Sequence, residues 1–293
     1  MSESTTSASA LLVSKGLVFL SRDSKRGSLV PKESAELLLS FIRTLTHKPH
    51  YGKHLTFPPY RFMVRTLVNL AYPGMILNYA LRKRVIEAAT VEHLQNGARQ
   101  VVVIGAGFDT LTLRLSRQFP NARFFEIDKP ETQSAKRSAV LATSLQAPIE
   151  FVPADLSVSK LQDVLTNHPR FDKNAVSIFI LEGVSMYLSE ATIADLFRQI
   201  QQLSAKGSLF AFTFMDDRGR DRLLSRLWQK RHERMEGFAM TPERMSAFVK
   251  LFGMEQRSLH LFQEMQKPYV STKEWELLMR TRGEHVCIAE RTA

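Results

Sequence analysis

Short apolar segments alternate with helical patterns along the chain from about residue 100 to residue 216. Each segment is almost continuously apolar, which is typical of strands buried on both faces of a parallel sheet. The five predicted strands are QVVVIGAG starting at 100, ARFFEID at 122–128, IEFVPAD at 149–155, VSIFILEGV at 176–184 and SLFAFTFMD at 208–216. This alternation predicts right-handed crossovers and a doubly wound, mostly parallel α/β sheet.

Several helices between and after these strands carry start signals of their own. Pro130 suits the first turn of a helix, where its missing N–H costs nothing. Ser189 predicts an N-cap, and Thr241-Pro242 predicts a cap and a first-turn proline for a helix that runs to Phe252.

The pattern changes outside this central region. A highly charged helix is predicted over 216–238, and two final strands over 257–262 and 284–291, which together would complete a seven-stranded sheet with a hairpin-like pair. Residues 1–95 have no strong strand signal. Their apolar clusters predict a helical cap packed on a core of residues 96–293.

Composition narrows the class of protein. Of the 293 residues, 44% are hydrophobic, which is enough for a sizeable core. The single cysteine, Cys287, excludes a disulfide framework or a Cys-rich zinc site and fits a reducing, cytoplasmic compartment. Three histidines in the segment 47–54 fall in a loop without nearby carboxylates, so we expect no metal site. We find no apolar run of the roughly 18 residues that a membrane span needs.

The net charge of +11 is uneven along the chain. Residues 1–99 contain 14 Lys and Arg against 6 Asp and Glu, a net +8, whereas residues 100–293 contain 26 against 23, a net +3. One interpretation is a surface for an anionic partner such as RNA, an acidic membrane or a carboxylate substrate. The alternative, which we favour for most of these charges, is a solvated basic helical layer.

The segment VVVIGAGFDTLTLRL (101–115) carries the first chemical signal. Glycines between a strand and a helix let a ligand approach the backbone, and the helix N-terminus offers free N–H groups. A dinucleotide fingerprint G-x-G-x-x-G would need a third glycine where this chain has Thr110, so the motif is incomplete.

Carboxylates at successive strand ends supply the second signal. Glu126 and Asp128, then Asp155, then Glu182 follow three strands whose ends line one crevice in a doubly wound sheet. For any one of them, helix capping is an equal alternative, above all for Asp128 before Pro130. Together they suit ribose hydroxyls, an adenine amino group and a cation, but repel a diphosphate. We therefore predict S-adenosyl-L-methionine as the cofactor, with S-adenosyl-L-homocysteine as its product.

The sequence resembles the leucine carboxyl methyltransferase family over about residues 78–291. The resemblance rests on RQVVVIGAGFDTLTLRL (99–115), ARFFEIDKP (122–130) with Lys136 downstream, PADL (153–156) and above all LEGVSMYL (181–188). It implies a class I methyltransferase core, Rossmann-like, with an N-terminal helical extension and a lid between strands five and six, here about 216–252. The chain departs from the family at Ile86-Glu87, where an acidic pair is common, and at Leu111, where arginine often stands.

The resemblance also implies roles for individual residues. Gly105 and Gly107 would approach the methionine portion of the cofactor, and Ala106 and Asp109 of the same loop would also bind the cofactor. Asp128 would hold the ribose, with Glu126 as a second candidate, and Asp155 and Leu156 would address the adenine. Glu182 would lie near the sulfonium or amino group. An arginine before strand one would reach the cofactor carboxylate; Arg82 is the first candidate and Arg84 the register-shifted alternative.

The predicted activity is O-methylation of a small molecule or peptide. A carboxylate acceptor is already ionised at neutral pH and needs no base, whereas a hydroxyl acceptor needs one. By the resemblance, Tyr187 and Arg82 lie beside the acceptor. The alternatives are an RNA-directed, tRNA-modifying enzyme or RNA binder, which the basic first third would serve, and a nicotinamide-dependent dehydrogenase. The acceptor and the oligomeric state stay open.

Overall fold

The computed structural model describes residues 7–218, 237–281 and 283–292. At its centre lies one seven-stranded sheet in the order β3-β2-β1-β4-β5-β7-β6, parallel except for β7. The strands are β1 Gln100–Ile104, β2 Arg123–Asp128, β3 Ile149–Pro153, β4 Ser177–Leu181, β5 Leu209–Met215, β6 Met254–His260 and β7 Glu284–Arg291. The predicted doubly wound, mostly parallel seven-stranded sheet is confirmed.

Helices cover both faces of the sheet and form the N-terminal cap. They are α1 Ala8–Ser21, α2 Lys32–Thr46, α3 Pro58–Ala71, α4 Met75–Gln95, α5 Leu111–Gln118, α6 Pro130–Leu141, α7 Leu161–Thr166, α8 Glu190–Leu203, α9 Pro242–Lys250, α10 Phe262–Gln266 and α11 Thr272–Leu278. The helix starts match the predictions, but the Thr241 side chain makes no capping hydrogen bond to the described residues of α9, which ends at Lys250, two residues before the predicted end at Phe252. Pro130 is the first residue of α6, the Ser189 hydroxyl accepts a hydrogen bond from the Thr192 N–H at 3.1 Å, and α9 begins at Pro242.

Two predictions at the C-terminal end differ from the structure. β6 begins at Met254, three residues before the predicted start, because an irregularity between Gln256 and Ser258 hides the alternation of its first residues. β6 and β7 do pair antiparallel, but α10 and α11 lie between them in sequence, so they do not form a tight hairpin. Of the predicted charged helix and the lid over 216–252, residues 219–236 lie outside the described residues.

The cap and the sheet share a hydrophobic core. Leu17 of α1 and Phe41 of α2 belong to the same buried cluster as Phe108, Leu113 and Val140 beside the sheet. α4 ends at Gln95, close to the predicted boundary at residue 95, and the division into cap and core stays a prediction. Within the described residues, no helix is both long and apolar enough to cross a membrane.

Sheet order fixes where a ligand can reach the backbone. β1 lies between β2 and β4, so the chain leaves the sheet centre in both directions and a crevice opens beyond the carboxyl ends of these strands. β7 is antiparallel to β5, and its first residue, Glu284, pairs with Met215 at the end of β5. Glu284 therefore lies at the same edge as the carboxyl ends of the parallel strands.

Candidate active site

A cavity of about 1010 Å³ lies at this edge of the sheet. Its floor follows the strand ends from Asp155 beyond β3 to Glu284 at the start of β7, and α1 covers part of it through Ala10, Ser14 and Leu17. Its volume lies at the upper end of the range found for ligand sites in proteins. It is large enough for a nucleoside cofactor and an acceptor side by side.

The glycine loop lines the cavity where β1 ends. Gly105 and Gly107 have φ of 70° and 48°, a region that side chains with a Cβ rarely adopt. A Cβ on Gly105 would lie 2.5 Å from Cγ2 of Val184, and one on Gly107 would lie 3.0 Å from Cβ of Ala10 in α1. The loop is therefore held between the cap and the segment after β4.

Thr110 occupies the third position of the incomplete dinucleotide motif and does not face the cavity. It is 1% exposed, and its hydroxyl lies 2.8 Å from the Ser34 hydroxyl on α2. In this chain the residue contacts the cap, and its φ of −110° does not require a glycine.

Asp128 ends β2 and lines the cavity beside the glycine loop. Its carboxylate accepts hydrogen bonds from the N–H of Gly107 at 2.6 Å and of Lys129 at 2.7 Å. Burial raises the pKa of Asp128, and these two hydrogen bonds offset part of that rise. Both donors lie in the glycine loop and the adjacent peptide, so Asp128 links β2 to the loop after β1. It does not cap α6, whose first residue is Pro130.

Asp155 and Leu156 line the cavity beyond β3. Asp155 accepts a hydrogen bond from the Ser157 N–H at 2.9 Å and lies 3.7 Å from the Lys129 ammonium. The hydrogen bonds from Ser157 lower the pKa of Asp155, so it is an anion at neutral pH. Leu156 packs against the main core cluster.

Arg82 lies at the other end of the cavity and joins two carboxylates. Its Nε donates to Glu182 at 2.9 Å, and its Nη1 pairs with Glu284. Burial lowers the pKa of Arg82, but Glu284 and Glu182 outweigh burial and raise it above its usual value. Arg84, the alternative candidate, is exposed on α4 and is not among the described residues that line the cavity.

Lys83 is a site residue that sequence reasoning missed. Its ammonium lies 3.0 Å from Glu182 and 2.9 Å from Asp109. Asp109 also accepts from the N–H groups of Thr110 and Leu111 at 2.6 and 3.2 Å, at the start of α5. Burial would raise the pKa of Asp109, but Lys83 outweighs burial and holds it well below its usual value. Asp109 therefore stays charged.

The segment after β4 explains the E-G-V motif. Glu182 pairs with Arg82 and Lys83, while Gly183, at φ 69°, would place a Cβ 3.0 Å from the Arg82 guanidinium. Val184 packs against Gly105. Glu182 and Gly183 thus lie against Arg82, and Val184 lies against the glycine loop.

Tyr187 ends the 3-10 turn Ser185–Tyr187 and lines the cavity with 37% of its surface exposed. Tyr79 of α4 lines the cavity too, and burial raises the pKa of its phenol well above the usual value. The two predicted acceptor-side residues, Tyr187 and Arg82, therefore line one cavity.

Glu126 does not belong to this cavity, in contrast to its prediction as a second ribose ligand. It lies two residues inside β2, is 1% exposed, and pairs with the Lys136 ammonium of α6 at 2.6 Å. The Thr112 hydroxyl of α5 also donates to it. Helices α5 and α6 therefore enclose the carboxylate away from the strand ends.

The charges of the cavity fit the predicted cofactor. Four cationic and seven acidic side chains line it among the described residues, a net −3 in a chain of net +11. The cations are Arg82, Lys83, Lys129 and Lys160, and the acids are Asp109, Asp128, Glu131, Asp155, Glu182, Asp195 and Glu284. An amino-acid zwitterion and a sulfonium suit such alternating charges, whereas a diphosphate would be repelled.

The strand order, the single antiparallel strand and the glycine loop after β1 define a class I methyltransferase fold. The family model described as leucine carboxyl methyltransferase matches residues 20–201, more than half of the sequence. The chain belongs to the leucine carboxyl methyltransferase family.

Relatives of known description agree with this assignment. The chain is 32% identical over 123 residues to "Putative S-adenosyl-L-methionine-dependent methyltransferase YktD" of Bacillus subtilis (strain 168), covering 41% of this chain and 40% of that protein. It is 31% identical over 135 residues to a protein of the same description from Mycobacterium sp. (strain KMS), covering 46% and 50%. The matches span about half the length of these relatives or less. The cofactor predicted above is the one for which they are named.

A solved structure supports the fold. The structure described as a "putative methyltransferase" from Thermobifida fusca matches with a TM-score of 0.59 at 19% identity, covering 87% of this chain and 94% of that one. At this identity the match speaks for the architecture alone.

Proposed function

We propose that the chain is an S-adenosylmethionine-dependent O-methyltransferase. The observation that carries the proposal is the single cavity that brings together the glycine loop, Asp128, Asp155 and the Arg82–Glu182 pair at the carboxyl edge of the sheet. Family membership and the descriptions of the relatives support it.

Each part of the cavity wall has a binding task in this proposal. Asp128 holds the ribose hydroxyls, while Asp155 and Leu156 face the adenine. The loop from Gly105 to Asp109 admits the methionine portion. Arg82 and Lys83 hold its carboxylate, and Glu182 and Asp109 hold its amino group.

When bound, S-adenosylmethionine supplies an electrophilic methyl carbon for in-line displacement. The chain holds the acceptor and the cofactor in line and excludes water from the cavity. α1 closes the cavity over the glycine loop, and Tyr187 donates or accepts a hydrogen bond at the acceptor oxygen. The acceptor is a carboxylate or a hydroxyl of a small molecule or peptide.

The alternatives predicted from sequence have less support. The net −3 of the cavity opposes the diphosphate of a nicotinamide cofactor, as it opposes an RNA phosphate at the reacting centre. RNA binding by the basic residues of the first third of the chain would appear as salt-dependent affinity.

Thermal unfolding with S-adenosylmethionine, S-adenosylhomocysteine, NAD and NADP tests the proposal. A ligand at 100 times its Kd stabilises the native state by about 2.7 kcal/mol. We expect the two sulfur nucleotides alone to raise the Tm. Asp128→Ala should weaken their binding by roughly 10- to 100-fold, since a hydrogen bond to a charged group contributes about 1.5–3 kcal/mol.

Asp163→Ala is the matched control, because Asp163 is an exposed carboxylate on α7. It should leave the ligand-induced shift unchanged. A shift with NAD, or none with either sulfur nucleotide, would contradict the proposal.

A further inference from the structure

We propose that the cap docks on an anionic lipid surface through helix α3. The docking side is the α3 surface, which consists of five exposed apolar side chains: Phe57, Phe62, Met63, Leu67 and Leu70. This inference goes beyond the proposed function and does not depend on it, because it concerns the outside of the cap and involves no reaction.

Helix α3 lies on the outside of the fold. All fourteen of its residues are described, and none of them is buried. Its inner side packs against the cap through the half-buried Tyr60 and Val64, whereas its outer side leaves Phe62 74% exposed and Leu67 60% exposed. A surface helix ordinarily turns its apolar stripe to the core and its polar side to water. Helix α3 therefore has a second apolar stripe that the fold of the described residues does not bury.

The second stripe is continuous along the helix. At about 3.6 residues per turn, the positions from Phe62 to Leu67, with Met63 and Leu70 between them, fall within an arc of about 140°. The two charged residues of the helix, Arg61 and Arg65, fall outside that arc. Exposed apolar side chains that are contiguous in this way mark an interaction site.

Exposed basic residues precede the apolar stripe. Residues 37–81 contain five Lys and Arg, three His and no Asp or Glu. Three of the five, Arg43, Lys48 and Lys53, are exposed and form no salt bridge with the described residues. Their positive charge is therefore available to an anionic partner.

The carboxylates that approach α3 from other elements do not balance these three charges. Asp23 pairs with Arg61 at 3.3 Å and with Arg65 at 2.5 Å. Glu274 lies 3.7 Å from Arg26. Both carboxylates are thus committed to arginines other than those of the exposed basic segment.

Ring contacts hold the basic segment against α3. The Arg43 Nε donates to the Tyr51 carbonyl at 3.0 Å, and the ring centroids of Tyr51 and His54 are 5.4 Å apart. The His54 ring in turn meets the Tyr60 ring of α3 at 4.6 Å. The basic segment and the apolar stripe therefore belong to one surface of the cap.

A second copy of the chain is a poor partner for this surface. A two-fold contact would bring together two copies of a segment that has no acidic residue over 37–81, and their like charges would repel. An anionic lipid layer offers hydrocarbon to the apolar side chains and negative headgroups to the basic ones. It also receives a helix that projects from the fold without a groove shaped for it.

Helix α3 leads directly to the cavity wall. It ends at Ala71, and the following Tyr72, Pro73 and Met75 line the cavity. Docking through α3 therefore brings the cavity close to the lipid layer.

Cosedimentation of the full chain with vesicles tests the proposal. The vesicles contain equal parts of phosphatidylcholine and phosphatidylglycerol, or phosphatidylcholine alone. We expect at least about tenfold tighter binding to the mixed vesicles, and weaker binding as salt is raised, because salt screens the attraction to the anionic headgroups. The measurement needs no cofactor, so failure of the proposed function would leave its result unchanged.

The double variant Phe62→Ser/Leu67→Ser tests the apolar stripe at constant charge. It should bind the mixed vesicles at least about tenfold more weakly, because two apolar side chains no longer enter the layer. Leu141→Ser/Leu251→Ser is the matched control, since these leucines are 82% and 77% exposed at the ends of α6 and α9. The control should keep the affinity of the unaltered chain to within about twofold. All four positions are exposed, so the Tm of both variants should stay close to that of the unaltered chain.

A fluorescent label distinguishes insertion of the stripe from adsorption by charge alone. An environment-sensitive dye on Met63→Cys should shift its emission to the blue with the mixed vesicles, whereas the same dye on Leu251→Cys should not shift. The native Cys287 is buried and stays unlabelled.

Each of four results would overturn the proposal: no binding to the mixed vesicles, equal affinities of the two double variants, no emission shift from Met63→Cys, or a dimer of the unaltered chain that is lost in Phe62→Ser/Leu67→Ser. Binding of poly-L-glutamate that is lost in the same double variant would also overturn it, in favour of an acidic protein as the partner.

Discussion

Glu126 on β2 and Glu182 after β4 are buried carboxylates of the same sheet, yet their surroundings differ. Glu126 has one cation, Lys136, in a pocket closed by α5 and α6, and its charge is balanced. Glu182 shares Arg82 and Lys83 with Glu284 and Asp109, so its cluster has an excess negative charge and faces a cavity.

Depth along the strand distinguishes these two carboxylates. Glu126 lies two residues inside Asp128, about 7 Å from the strand end, whereas Glu182 follows the last residue of β4. A balanced pair inside the layer stabilises the fold, while an unbalanced cluster at the edge is available to a ligand.

The largest expected effect is on the stability that the Glu126–Lys136 pair provides. Lys136→Met leaves Glu126 charged and unpaired inside the protein, which should lower the free energy of unfolding by about 3–5 kcal/mol. Burial already raises the pKa of Glu126, and loss of Lys136 raises it further. A raised carboxylate pKa means that stability is lost as pH rises, so the deficit should be larger at pH 8 than at pH 5.

Urea unfolding at the two pH values measures this effect, with Lys206→Met as the control at an exposed lysine. The control should change stability by no more than about 0.5 kcal/mol. A large loss of S-adenosylhomocysteine affinity in Lys136→Met, with the fold intact, would show that the pair belongs to the ligand site after all.

A smaller effect is expected at the glycine loop, which lines the cavity. Gly105→Ala must adopt φ 70° and meet Val184, whereas Gly97→Ala adopts φ 102° with no atom within 4 Å of the new Cβ. Because a residue with a Cβ disfavours positive φ, both variants should lose about 1–2 kcal/mol of the free energy of unfolding. Overpacking adds about 1–3 kcal/mol in Gly105→Ala alone.

Only Gly105→Ala should also weaken S-adenosylhomocysteine binding, because the loop must move away from Val184. Urea unfolding and ligand titration of both variants measure the two effects. Equal stability losses in the pair would mean that the loop accommodates a Cβ without displacement.

Much of the fold could be predicted because its strands are buried on both faces. The runs that became β1, β4 and β5 are almost continuously apolar, and the start of β7 at Glu284 matches the prediction. The start of β6 could not be predicted, because the buried Met254 is followed by three polar residues and an irregularity between Gln256 and Ser258 interrupts the alternation.

The site was less predictable because it depends on which strands become neighbours. The position of β7 between β5 and β6 brings Glu284 to Arg82, 202 residues away in sequence. Lys83 gave no signal of its own, since adjacent residues of a helix point in different directions and Arg82 already satisfied the pattern. Glu126 shows the opposite case. It lies two residues before the end of β2, too deep in the sheet to line the cavity.

The smallest expected effect concerns Asp216, which follows β5 as Glu182 follows β4 but behaves like Glu126. Its carboxylate accepts from His285 at 3.2 Å, and neither residue is among the described residues that line the cavity. Burial would raise the pKa of Asp216, but hydrogen bonds from His285 and Arg218 outweigh burial and hold it well below its usual value. A depressed carboxylate pKa adds stability above the unfolded-state pKa of about 3.9, and this stability is lost as pH falls through the folded-state value.

Asp216→Asn should therefore be less stable than the unaltered chain at pH 7 and lose less of its stability between pH 5 and pH 3. Urea unfolding across that range measures the two slopes, and S-adenosylhomocysteine affinity at pH 7 should not change. Parallel slopes, or a loss of affinity without a loss of stability, would group Asp216 with the cavity carboxylates around Arg82 instead of with Glu126.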